Sequence, residues 1–271
     1  MPENKEVFIK DPRAGLRNHL YEADLRYDQN QIVGIFLQGS QNYGLETEKS
    51  DIDTKLILTP SFFEVAMNQK PVSTTHILAN DEHLDAKDIR LYMETFRKQN
   101  LNFLEILFTP YFWVNPIYKD DWNRLVAERE QIARMNPVRA VKSMKGIAME
   151  KYHALKHPYP SKLKILEEYG YDPKQLHHLL RVEEYLRRYI KGEPYAHCLR
   201  PRDPEYLKEV KLGLYDESTA DKIAAGSIER IQEMTEWYCQ DRIEEEDELT
   251  RSLLSSVQYD IMKTAVKREL N

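Results

Sequence analysis

Asp51-Ile52-Asp53 follows a Gly39-Ser40 pair across a spacer of ten residues. Each half adjoins an apolar run: Ile32 to Leu37 leads into Gly39-Ser40, and Ile52 to Leu58 carries the aspartates. The first half has the residues of a strand, a tight turn and a helix start. Gly39 lets the backbone come close to a ligand, and the amides of a helix N-terminus favour phosphate. The second half reads as an alternating strand. Residues two apart on a strand share a face, so both carboxylates point the same way. Two hard oxygen ligands opposite a phosphate cradle suit Mg2+ carrying a nucleoside triphosphate. Taken one by one, these residues also fit an ordinary turn and a solvated strand end. Their spacing between two apolar runs favours the chemical reading.

A third acidic group near the first two would help to hold a second metal ion. Asp85, in Leu84-Asp85-Ala86, lies in a short strand-like run after the Asp51-Asp53 strand. Asp88 competes with it but also reads as the cap of the next helix, and Glu82 and Glu105 are weaker candidates. A metal-bound hydroxyl has a depressed pKa, so no separate histidine base is required. A second cluster lies in Tyr169-Gly170-Tyr171-Asp172-Pro173-Lys174, which continues to Arg181. Asp172 can cap a helix that begins at Pro173. Lys174, His178 and Arg181 then fall on one face, at i, i+4 and i+7. That face could clamp a triphosphate, or it could be a surface stripe with a hydrogen-bonded histidine.

Gly39, Ser40, Asp51 and Asp53 resemble the signature of the DNA polymerase beta-like nucleotidyltransferase superfamily: Gly-Ser, a spacer, then Asp-apolar-Asp. Gly170, Asp172, Lys174, His178 and Arg181 match residue by residue the helical motif of a narrower group, the RNA-repair-pathway (RlaP-like) nucleotidyltransferases. The stretch Gln99 to Leu107 is similar to that group's Asn-rich segment, without its proline. The likeness covers roughly residues 30–185. It implies Mg2+-dependent transfer (two ions, with Mn2+ as a substitute) of a nucleoside monophosphate from an NTP, with release of pyrophosphate. It implies metal-binding and catalytic roles for Asp51, Asp53 and Asp85. It implies nucleotide contacts from Gly39, Ser40, Tyr43, Lys174, His178 and Arg181. The implied acceptor is an RNA end. A small-molecule or protein hydroxyl is the alternative, and a non-catalytic nucleotide sensor is a second alternative.

The elements that must position these residues divide the chain in two. The pattern predicts an α+β protein: a catalytic domain over residues 1–120, with a small mixed sheet flanked by helices, then an α-helical domain over 121–271 that completes the nucleotide and acceptor site. Residues 1–30 read as mostly helical, with Leu16, Leu20, Ala23 and Leu25 as core contacts. Strands are expected over 32–37, 52–58, 73–78 and 83–86. Ser61 can cap a short helix, another helix carries Ile89, Tyr92, Met93 and Phe96, and 103–108 is a strand or a buried helix. Helices are expected over 122–135, 138–157, 173–191, 218–239 and 246–268. Glu244 to Glu248 reads as an acidic helix start.

The 271 residues carry a net charge of -6, which argues against indiscriminate nucleic-acid binding. Residues 138–191 hold 12 Lys/Arg against 6 Asp/Glu, whereas residues 192–271 hold 11 against 18. The basic segment could face a polyanion or could simply be solvated. No apolar run approaches the ~18 residues of a membrane span. The start lacks a signal-peptide core, and Cys198 and Cys239 lie far apart with no zinc-type spacing, so a reducing cytoplasm is the expected location.

Overall fold

The computed structural model describes residues 11–48 and 50–271. The protein is α+β, with its strands in the N-terminal half and helices dominating the rest. The described residues fall into two compact units. One takes the chain up to Arg97 with Asn102–Met135 and Asp247–Asn271; the other takes Lys98–Leu101 and Asn136–Glu246. This division differs from a single cut after residue 120, because residues 121–135 and the last helix both belong to the first unit.

The first unit is built on a mixed sheet. Its strands are β1 (Ile32–Gln38), β2 (Asp53–Leu58), β3 (Ser73–Ile77), β4 (His83–Asp88) and β5 (Phe112–Val114), in the order β3-β4-β2-β1-β5. β2 and β4 run parallel; the other neighbours are antiparallel. β1 is buried along nearly its whole length, as a central strand covered on both faces must be. Helix α1 (Pro12–Asp24) packs on β1 and β2. Leu16 and Ala23 enter the core with Leu56, Leu58, Leu84 and Ala86. The expected helical stretch over residues 1–10 lies outside the described residues. Leu20 is only partly buried and Leu25 is exposed, because the helix ends at Asp24 and releases Leu25 from its periodic face.

Helix α2 (Phe62–Ala66) begins with a complete capping box: Ser61 Oγ accepts from the Glu64 amide at 3.1 Å, and Glu64 accepts from the Ser61 amide at 2.7 Å. In α3 (Ile89–Arg97), Ile89, Tyr92, Met93 and Phe96 form the buried face expected of them. The apolar stretch from Phe103 folds as α4 (Leu101–Leu104) followed by one 3-10 turn. β5, between Pro110 and Pro116, was not expected; the prolines flank this three-residue edge strand without entering its ladder. The expected helix over 122–135 is two helices, α5 (Lys119–Ala127) and α6 (Arg129–Ile132), broken where Glu128 leaves helical geometry at ψ 19°.

The second unit is helical: α7 (Pro137–Ala154), α8 (Leu163–Tyr169), α9 (Pro173–Ile190), α10 (Tyr195–Leu199), α11 (Pro204–Lys211) and α12 (Glu217–Cys239). α9 is its hub, packed against α7, α10, α11 and α12. Asp172 caps α9 as expected, accepting from the Lys174 amide at 2.9 Å. The acidic run ends at Asp247, the cap of α13 (Glu248–Leu270). α13 belongs to the first unit and packs on α3 and α5, with Leu254, Val257 and Ile261 fully buried. The Asp247 amide donates to the Met135 carbonyl at 2.8 Å, which closes that unit's boundary.

Candidate active site

β1 delivers Gly39-Ser40 and β2 begins with Asp53; the two are held together because Gln38 pairs with Asp53 in the ladder. Gly39 adopts φ 102°, ψ -157°, a conformation open essentially to glycine alone. A β-carbon there would meet only Gln41 Oε1, at 3.8 Å, so the space above the turn is open. The helix start expected after Ser40 is a single 3-10 turn, Ser40–Asn42. The amides of Asn42 and Tyr43 are spent inside it on the Gly39 and Ser40 carbonyls, and this turn supplies no helix dipole. Asn42 pins the turn: its Nδ2 donates to the Leu37 carbonyl at 3.0 Å, and its Oδ1 accepts from Thr109 Oγ1 at 2.6 Å. Gln41 ties the turn to the acidic segment, its Nε2 donating to the Asp51 carbonyl at 2.9 Å.

Asp51 is exposed, Ile52 buried and Asp53 half-exposed. The apolar residue anchors the segment in the core, and both flanking aspartates remain within reach of solvent. Three cross-strand rows follow along the front face of β2 and β4. In the first, Asp53 Oδ1 accepts from the His83 amide at 3.0 Å and lies 3.1 Å from His83 Nδ1. In the second, Lys55 stands beside Asp85, and its Nζ donates to Asp85 Oδ2 at 2.9 Å. Thr75, on β3, donates to Asp85 Oδ1 at 3.3 Å. In the third, Lys87 stands beside Ile57. The ammonium groups of Lys55 and Lys87 lie 4.3 and 4.0 Å from the centre of the Phe103 ring, a doubled cation-π contact.

Asp85 therefore shares the face of Asp53, one row farther on, against the ammonium of a buried lysine. Asp88 points to the other face and is buried. It caps α3, accepting from the Arg90 amide at 2.8 Å and from the Arg90 guanidinium. Glu105 is buried and accepts from the Tyr43 hydroxyl. Tyr43, expected as a nucleotide contact, is itself buried and engaged there as a core post.

Lys174, His178 and Arg181 lie on α9 of the second unit, at the expected helical spacing. Burial first, then the charges of His177, Arg181, Lys174 and Lys151, hold the His178 imidazole well below its usual range. The neighbouring His177 is lowered to about 4, chiefly by burial; its Nδ1 donates to the Leu207 carbonyl at 2.7 Å. Much of the surrounding basic charge is neutralised within this unit. Arg139 pairs with Glu244 and Glu246, Lys142 with Glu244, and Lys156 with Glu217 and Asp221.

Sequence reasoning missed Gln41, Asn42, His83, Lys55 and Thr109. Only Lys55 carried a usable signal, a charge two residues after Asp53 on the same strand face. No protein-family model matches the chain, and no curated protein does either.

Proposed function

We propose that the protein is a metal-dependent nucleotidyltransferase that moves a nucleoside monophosphate from an NTP to a hydroxyl acceptor, releasing pyrophosphate. The observation that carries this reading is the segment Asp51-Ile52-Asp53: a buried isoleucine with a carboxylate on either side toward solvent, beside a turn whose Gly39 leaves open space above it. The donor set fits a hard divalent cation, since Asp51 and Asp53 offer carboxylate oxygens at a solvent-reachable edge. Mg2+ or Mn2+ held there would stabilise charge on the transferring phosphoryl group and lower the pKa of the acceptor hydroxyl. The open turn at Gly39-Ser40 admits phosphate close to the backbone, and Gln41 keeps that turn in register with Asp51. His83 orients the Asp53 carboxylate through two contacts to one oxygen, leaving Oδ2 on the other side of the group. Lys55 and Thr75 hold Asp85. In this geometry Asp85 offers charge to the front face from within an ion pair, a weaker donor than the other two acids.

An RNA end as acceptor rests on the likeness of the motifs to the RNA-repair group. A small-molecule or protein hydroxyl is the second reading, favoured by the internal pairing of Arg139, Lys142 and Lys156, which leaves less basic charge for a polyanion. The test is label transfer: Mg2+, each α-labelled NTP in turn, total cellular RNA, and the Asp51→Ala and Asp53→Ala variants alongside. Label entering RNA only with the unmutated protein supports the first reading. Label entering a small acceptor or a protein instead supports the second. Both variants should keep their melting temperature, because neither carboxylate is buried. Turnover retained in either variant refutes the metal assignment.

A further inference from the structure

The back of the Asp51–Asp53 segment carries a polar construction that the transfer chemistry does not use. Helix α1 crosses it with Gly15 and His19, one turn apart on the same face. Gly15 lets the helix settle directly on Ile52: a β-carbon at this position would collide with the isoleucine side chain. One turn on, His19 Nδ1 lies 2.7 Å from Thr54 Oγ1, and its Nε2 lies 3.1 Å from Glu82 Oε2. The second oxygen of Glu82 accepts from the amide of Ile52 at 3.3 Å, and Asn80 Nδ2 donates to Oε2 at 2.7 Å. His19, Thr54 and Glu82 are almost fully buried.

Stability alone gives little reason for this arrangement, since apolar residues of similar volume often serve as well as a buried ionisable pair. What it does achieve is local. The β2 ladder begins at Asp53, so the amide of the residue between the two aspartates is held by a side chain. Ile52 and Thr54 face back toward α1, Asp53 faces front against His83, and Asp51 is bonded directly to Ile52, so fixing the first pair restrains both aspartates.

We propose that His19 and Glu82, admitted by Gly15, are positioning residues that set the placement of the Asp51 and Asp53 carboxylates for a divalent cation. The inference rests on the cation-binding reading of those aspartates.

The test uses the full chain, with Mn2+ as the probe followed by electron paramagnetic resonance and amide exchange followed at Ile52. In the unmutated chain, Mn2+ binding should depend on Asp53, and the Ile52 amide should be protected. Glu82→Ala and His19→Ala should each weaken Mn2+ binding by about 10- to 100-fold, the usual effect of losing an outer-shell partner, and should speed exchange at Ile52. Glu82→Gln, which keeps an oxygen for the Ile52 amide, should retain most of the affinity. Ile35→Val, a core truncation in β1, should lower stability without moving Mn2+ affinity. Should either alanine variant not fold, Gly15→Ala removes no polar group and should still weaken Mn2+ binding by displacing Ile52. Unchanged Mn2+ affinity in the folded variants overturns the proposal, as does unchanged Ile52 exchange, or affinity that only tracks stability through Ile35→Val. Failure of the functional reading shows elsewhere, as an absence of Asp53-dependent Mn2+ binding in the unmutated chain, and it would overturn the cation role of the clamp as well.

Discussion

Lys55 shows how one side chain can decide the character of a face. Its ammonium is buried, bonded to Asp85 and stacked on Phe103. Lys55→Ala leaves the Asp85 carboxylate without its cation and removes the packing of the stem. Breaking a buried pair costs about 3–5 kcal/mol, and because Asp85 is partly exposed a loss of about 2–4 kcal/mol is expected in urea unfolding. Thr75→Ala removes only a long neutral-donor contact and should cost less than about 1 kcal/mol. Gly39→Ala tests a different term. No atom obstructs the new methyl, so the cost is backbone strain alone, about 1–3 kcal/mol. Relief of that strain would shift the turn, and the NTP concentration for half-maximal transfer should rise. An unchanged NTP requirement in Gly39→Ala would separate the turn from phosphate binding.

Helix termini were the most legible elements, because a cap is a local event. Ser61, and Asp172 with Pro173, name their own helices in the sequence and cap them in the structure. Ser61→Ala should cost about 1 kcal/mol through loss of the capping box, readable as a lower urea midpoint with an unchanged slope. The alternation of burial around Ile52 was legible for the same reason. Three things were not legible. β5 is three residues long and carries no period. The turn after Ser40 closes as one 3-10 turn because its amides find the Gly39 and Ser40 carbonyls, a choice between helical forms that composition does not encode. The pairing of Lys55 with Asp85, and of His19 with Glu82, depends on strand register and on where α1 lands, which link residues 30 and 63 positions apart. A periodic pattern shows that a helix has a buried face; it does not name the partner, and so the packing of α13 on α3 and α5 could not be read from its sequence.

At the scale of the molecule, acid should act through the second unit. The His177 imidazole titrates at about 4 in the fold against an ordinary 6.5. Between those values the unfolded chain takes up a proton that the folded chain refuses. The stabilisation is therefore complete above about pH 6.5 and is lost as pH falls to about 4, a swing on the order of 3 kcal/mol. His178, also held neutral, adds in the same direction. Urea unfolding at pH 7 and pH 5 should show the loss, and His177→Gln, which can still donate to the Leu207 carbonyl, should flatten it; an equal loss in that variant would assign the acid sensitivity elsewhere. The return of α13 to the first unit has a consequence for the protein during its own synthesis. As the chain leaves the ribosome, the sheet strands emerge early, but the helix that covers α3 and α5 emerges only after residues 136–246 have been made. The helical unit has all but four of its residues in one continuous stretch and can form as it appears. The unit that begins first is thus finished last, and until then the surfaces that Leu254, Val257 and Ile261 will cover stand open to whatever chaperone is at hand.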